Sequence, residues 1–155
     1  MYDRPQTEEE RNAERIKAFE RTKQALESYK RFLVGKFGPD VKIGFVNTPE
    51  YADSDFMVFV GGKLDHFLEA KVRYTTKDKY QSAKIPLRKH STAEHWMNAG
   101  KIKSYFLCIW QDQMGLFDLT IEPDIVDDMV ARFDRGTERD VYAFYKVDKV
   151  EVIPE

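Results

Sequence analysis

Two acids and one lysine have the types and spacing to do chemistry. Asp55 precedes the apolar run Phe56–Val60, and Glu69-Ala70-Lys71 closes a second run, with Gly61-Gly62-Lys63 between them. Apolar runs of this length flanking a glycine pair predict two buried strands joined by a hairpin. Side chains alternate along a strand, so Glu69 and Lys71 share one face while Leu68, Ala70 and Val72 share the other. A two-residue Gly61-Gly62 turn places Asp55 opposite Leu68. A three-residue Gly61-Gly62-Lys63 loop places Asp55 opposite Glu69 and Asp53 opposite Lys71. Opposed carboxylates repel and weaken a sheet unless a cation lies between them. Asp55, Glu69, the Ala70 carbonyl and waters form the all-oxygen set suited to Mg²⁺ or Mn²⁺. Lys71 beside such an ion would orient an attacking water or stabilise developing phosphate charge. The chemistry read from these residues is metal-assisted phosphodiester hydrolysis.

Charge is distributed to match. The chain of 155 residues carries 25 Lys and Arg against 27 Asp and Glu, a net −2. From Lys71 to Lys103 nine cations face two anions, leaving +7 in that window and −9 elsewhere. A basic stretch on an acidic body can present a local phosphate-binding face. Arg73, Lys77, Lys79, Lys84, Arg88 and Lys89 are the candidate DNA-backbone contacts. His90 joins them, since it precedes an expected helix N-terminus, where free N–H groups favour phosphate.

The elements that must position these residues follow from periodicity. Thr7 and Glu10 have capping-box spacing and open a helix expected over Thr7–Val34. Ile16, Phe19, Leu26, Tyr29 and Leu33 form its expected buried stripe. Strands are expected at Val41–Val46, Phe56–Val60 and His66–Tyr74, then an extended basic loop over Thr75–Lys89. Ser91 and Glu94 read as a second capping box, opening a short helix to Ala99 with Gly100 as its stop. A buried strand follows at Ser104–Trp110, and another at Leu116–Ile121. Pro123 suits the first turn of a helix to Phe133. Val141–Val147 and Val150–Ile153 close the chain as strands. Asp124, Asp127, Asp128, Asp134 and Asp140 lack the alternation of a calcium loop and read as a solvated acidic face.

The joint pattern Asp55…Glu69-Ala70-Lys71 resembles the signature of the PD-(D/E)XK nuclease superfamily, whose restriction-endonuclease-like fold has an αβββαβ core. The element order above matches that core over about two-thirds of the chain. The spacing is similar to that of archaeal-type Holliday junction resolvases. Leu87–Trp110, with Ser91-Thr-Ala-Glu94-His-Trp96 and then Gly100, is similar to VRR-NUC-type nuclease domains. The resemblance implies Asp55 and Glu69 as metal ligands, Lys71 as the catalytic lysine, and a further acid from the first helix. Glu27 is the candidate for that acid, with Glu20 as the alternative. The resulting expectation is an α/β domain over 1–155. It has a mixed central sheet, a core over about 7–110 and a small β-containing extension over about 111–155. Its activity would be that of a Mg²⁺- or Mn²⁺-dependent DNA endonuclease, with a branched-DNA resolvase within that class. Resolvases cut two strands as symmetric pairs, so a homodimer is expected.

Composition excludes other classes. Hydrophobic residues at 42% and aromatics at 14% support a packed core rather than a disordered chain. No apolar run reaches the roughly 20 residues needed to span a bilayer. The N-terminal residues lack the apolar core of a secretory signal. One cysteine, Cys108, makes no intrachain disulfide, and a reducing cytoplasmic setting is expected. It reads as a core thiol, and Trp96 as a core aromatic. His90 and His95 are five apart and do not share a helical face, so a zinc site is not expected. A small stand-alone nuclease suits a phage or mobile element. Two alternatives stay open: a non-catalytic nucleic-acid-binding module on the same fold, and an acidic protein-interaction factor.

Overall fold

The computed structural model describes residues 7–49, 54–130 and 139–154, with the backbone alone for 128–130, 139 and 140. Helix α1 spans Glu8–Phe37. Thr7 caps it, its Oγ1 accepting from Glu10 N–H at 3.0 Å, and Glu8, Glu9 and Glu10 complement the helix dipole. The helix ends at Gly38, whose φ of 108° favours glycine. Its buried residues are Ala25, Ser28, Tyr29 and Leu33. Ile16 and Phe19, expected in the same stripe, are 64% and 68% exposed. Length explains the difference. Thirty helical residues span about 45 Å. The ten residues of the longest strand span only about 33 Å, so the first turns of α1 overhang the sheet.

The strands are β1 (Ile43–Asn47), β2 (Phe56–Val60), β3 (Lys63–Val72), β4 (Ser82–Pro86), β5 (Lys103–Ile109), β6 (Met114–Asp118), β7 (Ile125–Val130), β8 (Arg139–Lys146) and β9 (Glu151–Ile153). A six-stranded sheet has the order β1-β2-β3-β5-β6-β9. β3 and β5 pair in parallel and the other neighbours antiparallel, so the sheet is mixed. A parallel pair needs a crossover, and here it contains β4 and helix α2 (Leu87–Gly100). The architecture is α/β, with the expected αβββαβ order interrupted by β4.

Alternation along β3 and β5 divides the core. Leu68, Val72, Leu107 and Ile109 pack with Ala25, Tyr29 and Leu33 of α1. Phe106 and Cys108 face the other way, with Ala93 of α2, Ala83 and Ile85 of β4, and Ala143 and Tyr145 of β8. Cys108 is fully buried, and burial pushes its thiol up to about 11, as suits a core residue.

Four expectations fail outside this framework. Residues 75–89 are not one loop: Ser82–Pro86 forms β4, which joins β8 and β7 in a second, three-stranded sheet. Ala83 and Ile85 point inward at period two, but their partner strand lies some 60 residues on and leaves no local signal. Helix α2 starts at Leu87 behind Pro86, so Ser91 and Glu94 lie inside it; it includes Gly100, and Lys101 takes the left-handed C-cap, φ 58°. The helix expected from Pro123 is instead β7, paired antiparallel with β8; residues 131–133 lie outside the described residues. Trp96 is 38% exposed and packs against Phe67 rather than within the core. No described helix is long and apolar enough to cross a membrane.

Candidate metal centre

The β2–β3 hairpin sets the position of the acids. Gly61 and Gly62 adopt φ of 60° and 81°, and Val60 pairs with Lys63 across a two-residue turn. Such a turn alone would align Asp55 with Leu68. A bulge between Val58 and Phe59 then shifts the register by one: Phe59 faces Leu64 while Val58 faces His66, leaving Asp65 as the extra residue. The turn is the shorter of the two alternatives, and the bulge supplies the register of the longer one. Asp55 N–H donates to the Leu68 carbonyl at 3.1 Å, and Ala70 N–H donates to Asp55 Oδ2 at 3.0 Å. The Asp55 carboxylate is thereby held beside Glu69. Asp53, expected opposite Lys71, lies outside the described residues.

Glu69 is only 17% exposed, on the sheet face that carries α2. Burial is the main cause raising its carboxyl above the usual range; the hydrogen bond from Lys89 opposes this, and the Asp55 charge adds to it. Lys89 Nζ donates to Glu69 Oε2 at 2.8 Å, and Lys89 is 8% exposed. Lys71 is exposed on the same face, two residues along β3, and its charge also steadies the Glu69 carboxylate. Asp55, Glu69, Ala70 and Lys71 are thus assembled at one end of the hairpin.

Lys89 is the residue whose role sequence reading missed. The sequence groups it with the phosphate-contacting cations, because the Ser91–Glu94 capping box predicts an α2 that begins at Ser91. With α2 starting at Leu87, Lys89 and Ala93 stand four apart on its inward face, and both are buried. The apolar Ala93 four residues on was the available signal.

The other candidates are scattered. Glu27 is exposed on α1, where it lines a surface groove with Lys30, Arg31 and Val34. At 100° per residue, Glu27 and Glu20 both lie opposite buried Tyr29, on a helix covering the Leu68–Val72 face rather than the Glu69 face. The structure therefore does not bring either to Asp55. Glu14 of α1 instead hydrogen-bonds Tyr74, two residues past the end of β3. Arg73 Nη2 donates to the Lys84 carbonyl at 2.7 Å and its guanidinium lies over Phe106, so it ties β4 to the central sheet. Lys84 Nζ stands 4.6 Å from the Tyr142 ring centre. Lys77 is half-buried, whereas Lys79 and Arg88 are exposed. His90 is buried, with Nδ1 2.7 Å from the Leu119 carbonyl, and is not part of a phosphate-binding loop.

The donors at Asp55 and Glu69 fit a hard divalent cation. Two carboxylates stand together, the more buried one is destabilised in its charged form by the other, and among the described residues Lys89 and Lys71 act on it in the opposite sense. No curated protein and no solved structure matches the chain. A family model does match it over residues 14–152, a stretch that includes every residue of this centre. By that match the chain belongs to the PD-(D/E)XK nucleases, in the family described as "Phage putative PDDEXK endonuclease".

Proposed function

We propose that the protein is a DNA endonuclease that hydrolyses phosphodiester bonds with Mg²⁺ or Mn²⁺ held by Asp55, Glu69 and the Ala70 carbonyl. The observation that carries this reading is the Asp55 carboxylate pinned to Ala70 N–H beside a half-buried, lysine-paired Glu69. Bound there, the cation would lower the pKa of a water and offset charge on the phosphoryl oxygens. Lys71, exposed on the same face, positions that water and stabilises the charge that develops on phosphorus-bound oxygen. Lys89 acts through Glu69, favouring its charged form and aiming its carboxylate. Lys79 and Arg88 contact the DNA backbone and set its register. A four-way junction is the preferred substrate within this reading, cut by a homodimer as its two-fold symmetry requires.

The test is cleavage of matched linear, single-stranded and four-way-junction DNA with Mg²⁺, with Mn²⁺ and with chelator. Metal-dependent cutting that Glu69→Ala loses supports the nuclease, and the favoured DNA decides the subclass. DNA binding without cutting under any condition would turn the reading to a binding module. Neither binding nor cutting would point to a protein-interaction factor.

A further inference from the structure

A second cluster of ligand-type side chains lies elsewhere on α2. His90 and Glu94 are one helical turn apart, and His90 Nε2 stands 3.1 Å from Glu94 Oε1. Glu122, in the segment after β6, brings Oε1 to 4.0 Å from the same nitrogen. One ligand atom from each of the three residues lies within 4.8 Å of the others. His90 itself is buried, 6% exposed. Its Nδ1 faces the Leu119 carbonyl at 2.7 Å and the Tyr145 hydroxyl at 3.2 Å. Carbonyl oxygen only accepts, so Nδ1 carries a proton and Nε2 is the atom turned toward the carboxylates. A backbone carbonyl holding one ring nitrogen while the other points at ligands is the usual outer-shell arrangement of a metal-binding histidine. With bonds of about 2.0–2.2 Å, ligand atoms around a tetrahedral ion stand about 3.4 Å apart. The two distances at Nε2 bracket that value. One imidazole and two carboxylates form a nitrogen–oxygen set suited to zinc, unlike the oxygen-only set at Asp55 and Glu69.

We propose that His90 Nε2, Glu94 and Glu122 form a second cation site, of zinc type, that ties α2 to the segment following β6. Lys89 immediately precedes His90, so an ion here would hold the helix that presents Lys89 to Glu69.

The full chain carrying Glu69→Ala, which silences the first centre, is freed of metal and titrated with Zn²⁺ by calorimetry. The ring nitrogens are followed by ¹⁵N NMR. One equivalent should bind, the His90 Nε2 resonance should move to a metal-bound position, and the melting temperature should rise. Glu94→Gln with Glu122→Gln, both at exposed positions, should keep the fold and weaken Zn²⁺ binding at least tenfold. A His90 Nε2 signal unmoved at saturating Zn²⁺, or an affinity unchanged by the double substitution, would overturn the site. Neither result bears on cleavage at Asp55 and Glu69, because the first centre is already disabled.

Discussion

At the scale of single residues, the centre is governed by the contest over the Glu69 charge. Burial and Asp55 disfavour the carboxylate, while Lys89 and Lys71 favour it. Removing Lys89 should therefore raise the Glu69 pKa further, and Asp55→Asn should lower it. A ¹³C carboxyl titration of Lys89→Met and Asp55→Asn reads both directions, and unchanged values in the two variants would contradict the assembled centre. Lys89→Met should also slow cleavage by about 10²-fold, the loss expected when a catalytic group is left misplaced. Lys71→Ala should cost about 10²–10³ through lost stabilisation of the transition-state charge, with the melting temperature little changed because Lys71 is exposed.

At the scale of elements, α1 is two structures in one. Its C-terminal half is anchored by Tyr29 and Leu33, 1% and 2% exposed, and its first turns overhang the sheet. Leu33→Ala should cost about 2–5 kcal/mol. Ile16→Ser and Phe19→Ser should each stay within about 0.5 kcal/mol, as surface changes do. Chemical denaturation of the three variants separates these outcomes, and a large loss at Phe19 would restore the long buried stripe. β6 and β9 depend on close approach in the same way. A Cβ at Gly115 would meet Val150 at 2.5 Å and Trp110 at 3.1 Å, so Gly115→Ala should destabilise by about 1–3 kcal/mol. The bulge at Asp65 is the element-scale device that matters most for function. It lets a tight glycine turn coexist with the shifted register that brings Asp55 to Glu69.

At the scale of the whole molecule, two properties follow from how charge is placed. His66 is buried between α1 and the sheet, with Nδ1 2.6 Å from Asp65 and Nε2 2.8 Å from the Tyr29 hydroxyl. Nδ1–H donating to Asp65 and Nε2 accepting from Tyr29 satisfies the neutral ring. Burial is the larger influence and holds its pKa below the ordinary 6.5, against the pull of Asp65. The folded state then binds fewer protons than the unfolded chain. The stability this group contributes is complete above pH 6.5 and is lost as pH falls through the lowered folded value. Melting temperature should fall on acidification from pH 7 to 5, and His66→Gln should flatten that slope even though it lowers the starting value. The second property is salt dependence. Lys79→Ala with Arg88→Ala should weaken binding to all DNA sequences alike and reduce the salt slope by about two contacts. Unchanged binding isotherms across a salt series would remove these two residues from the DNA interface.

Much of this molecule was legible in local pattern. Period-two and helical spacing located α1, the β2–β3 hairpin and β5, and the strand alternation put Glu69 and Lys71 on one face. Those features depend on neighbours a few residues apart, which a sequence displays directly. Contacts between distant segments decided the rest. β4 exists because β8 pairs with it, and β7 is a strand because β8 also pairs with it, against a proline signal for helix. Lys89 enters the centre because β4 sets where α2 begins. Glu27 stays outside it because the packing of Tyr29 and Leu33 fixes the rotation of α1. The acids and lysine that could bind a cation were written in the chain, but their alignment rests on a one-residue bulge that appears only where β3 pairs with β2 in the folded sheet, because no local pattern marks which residue a ladder leaves out.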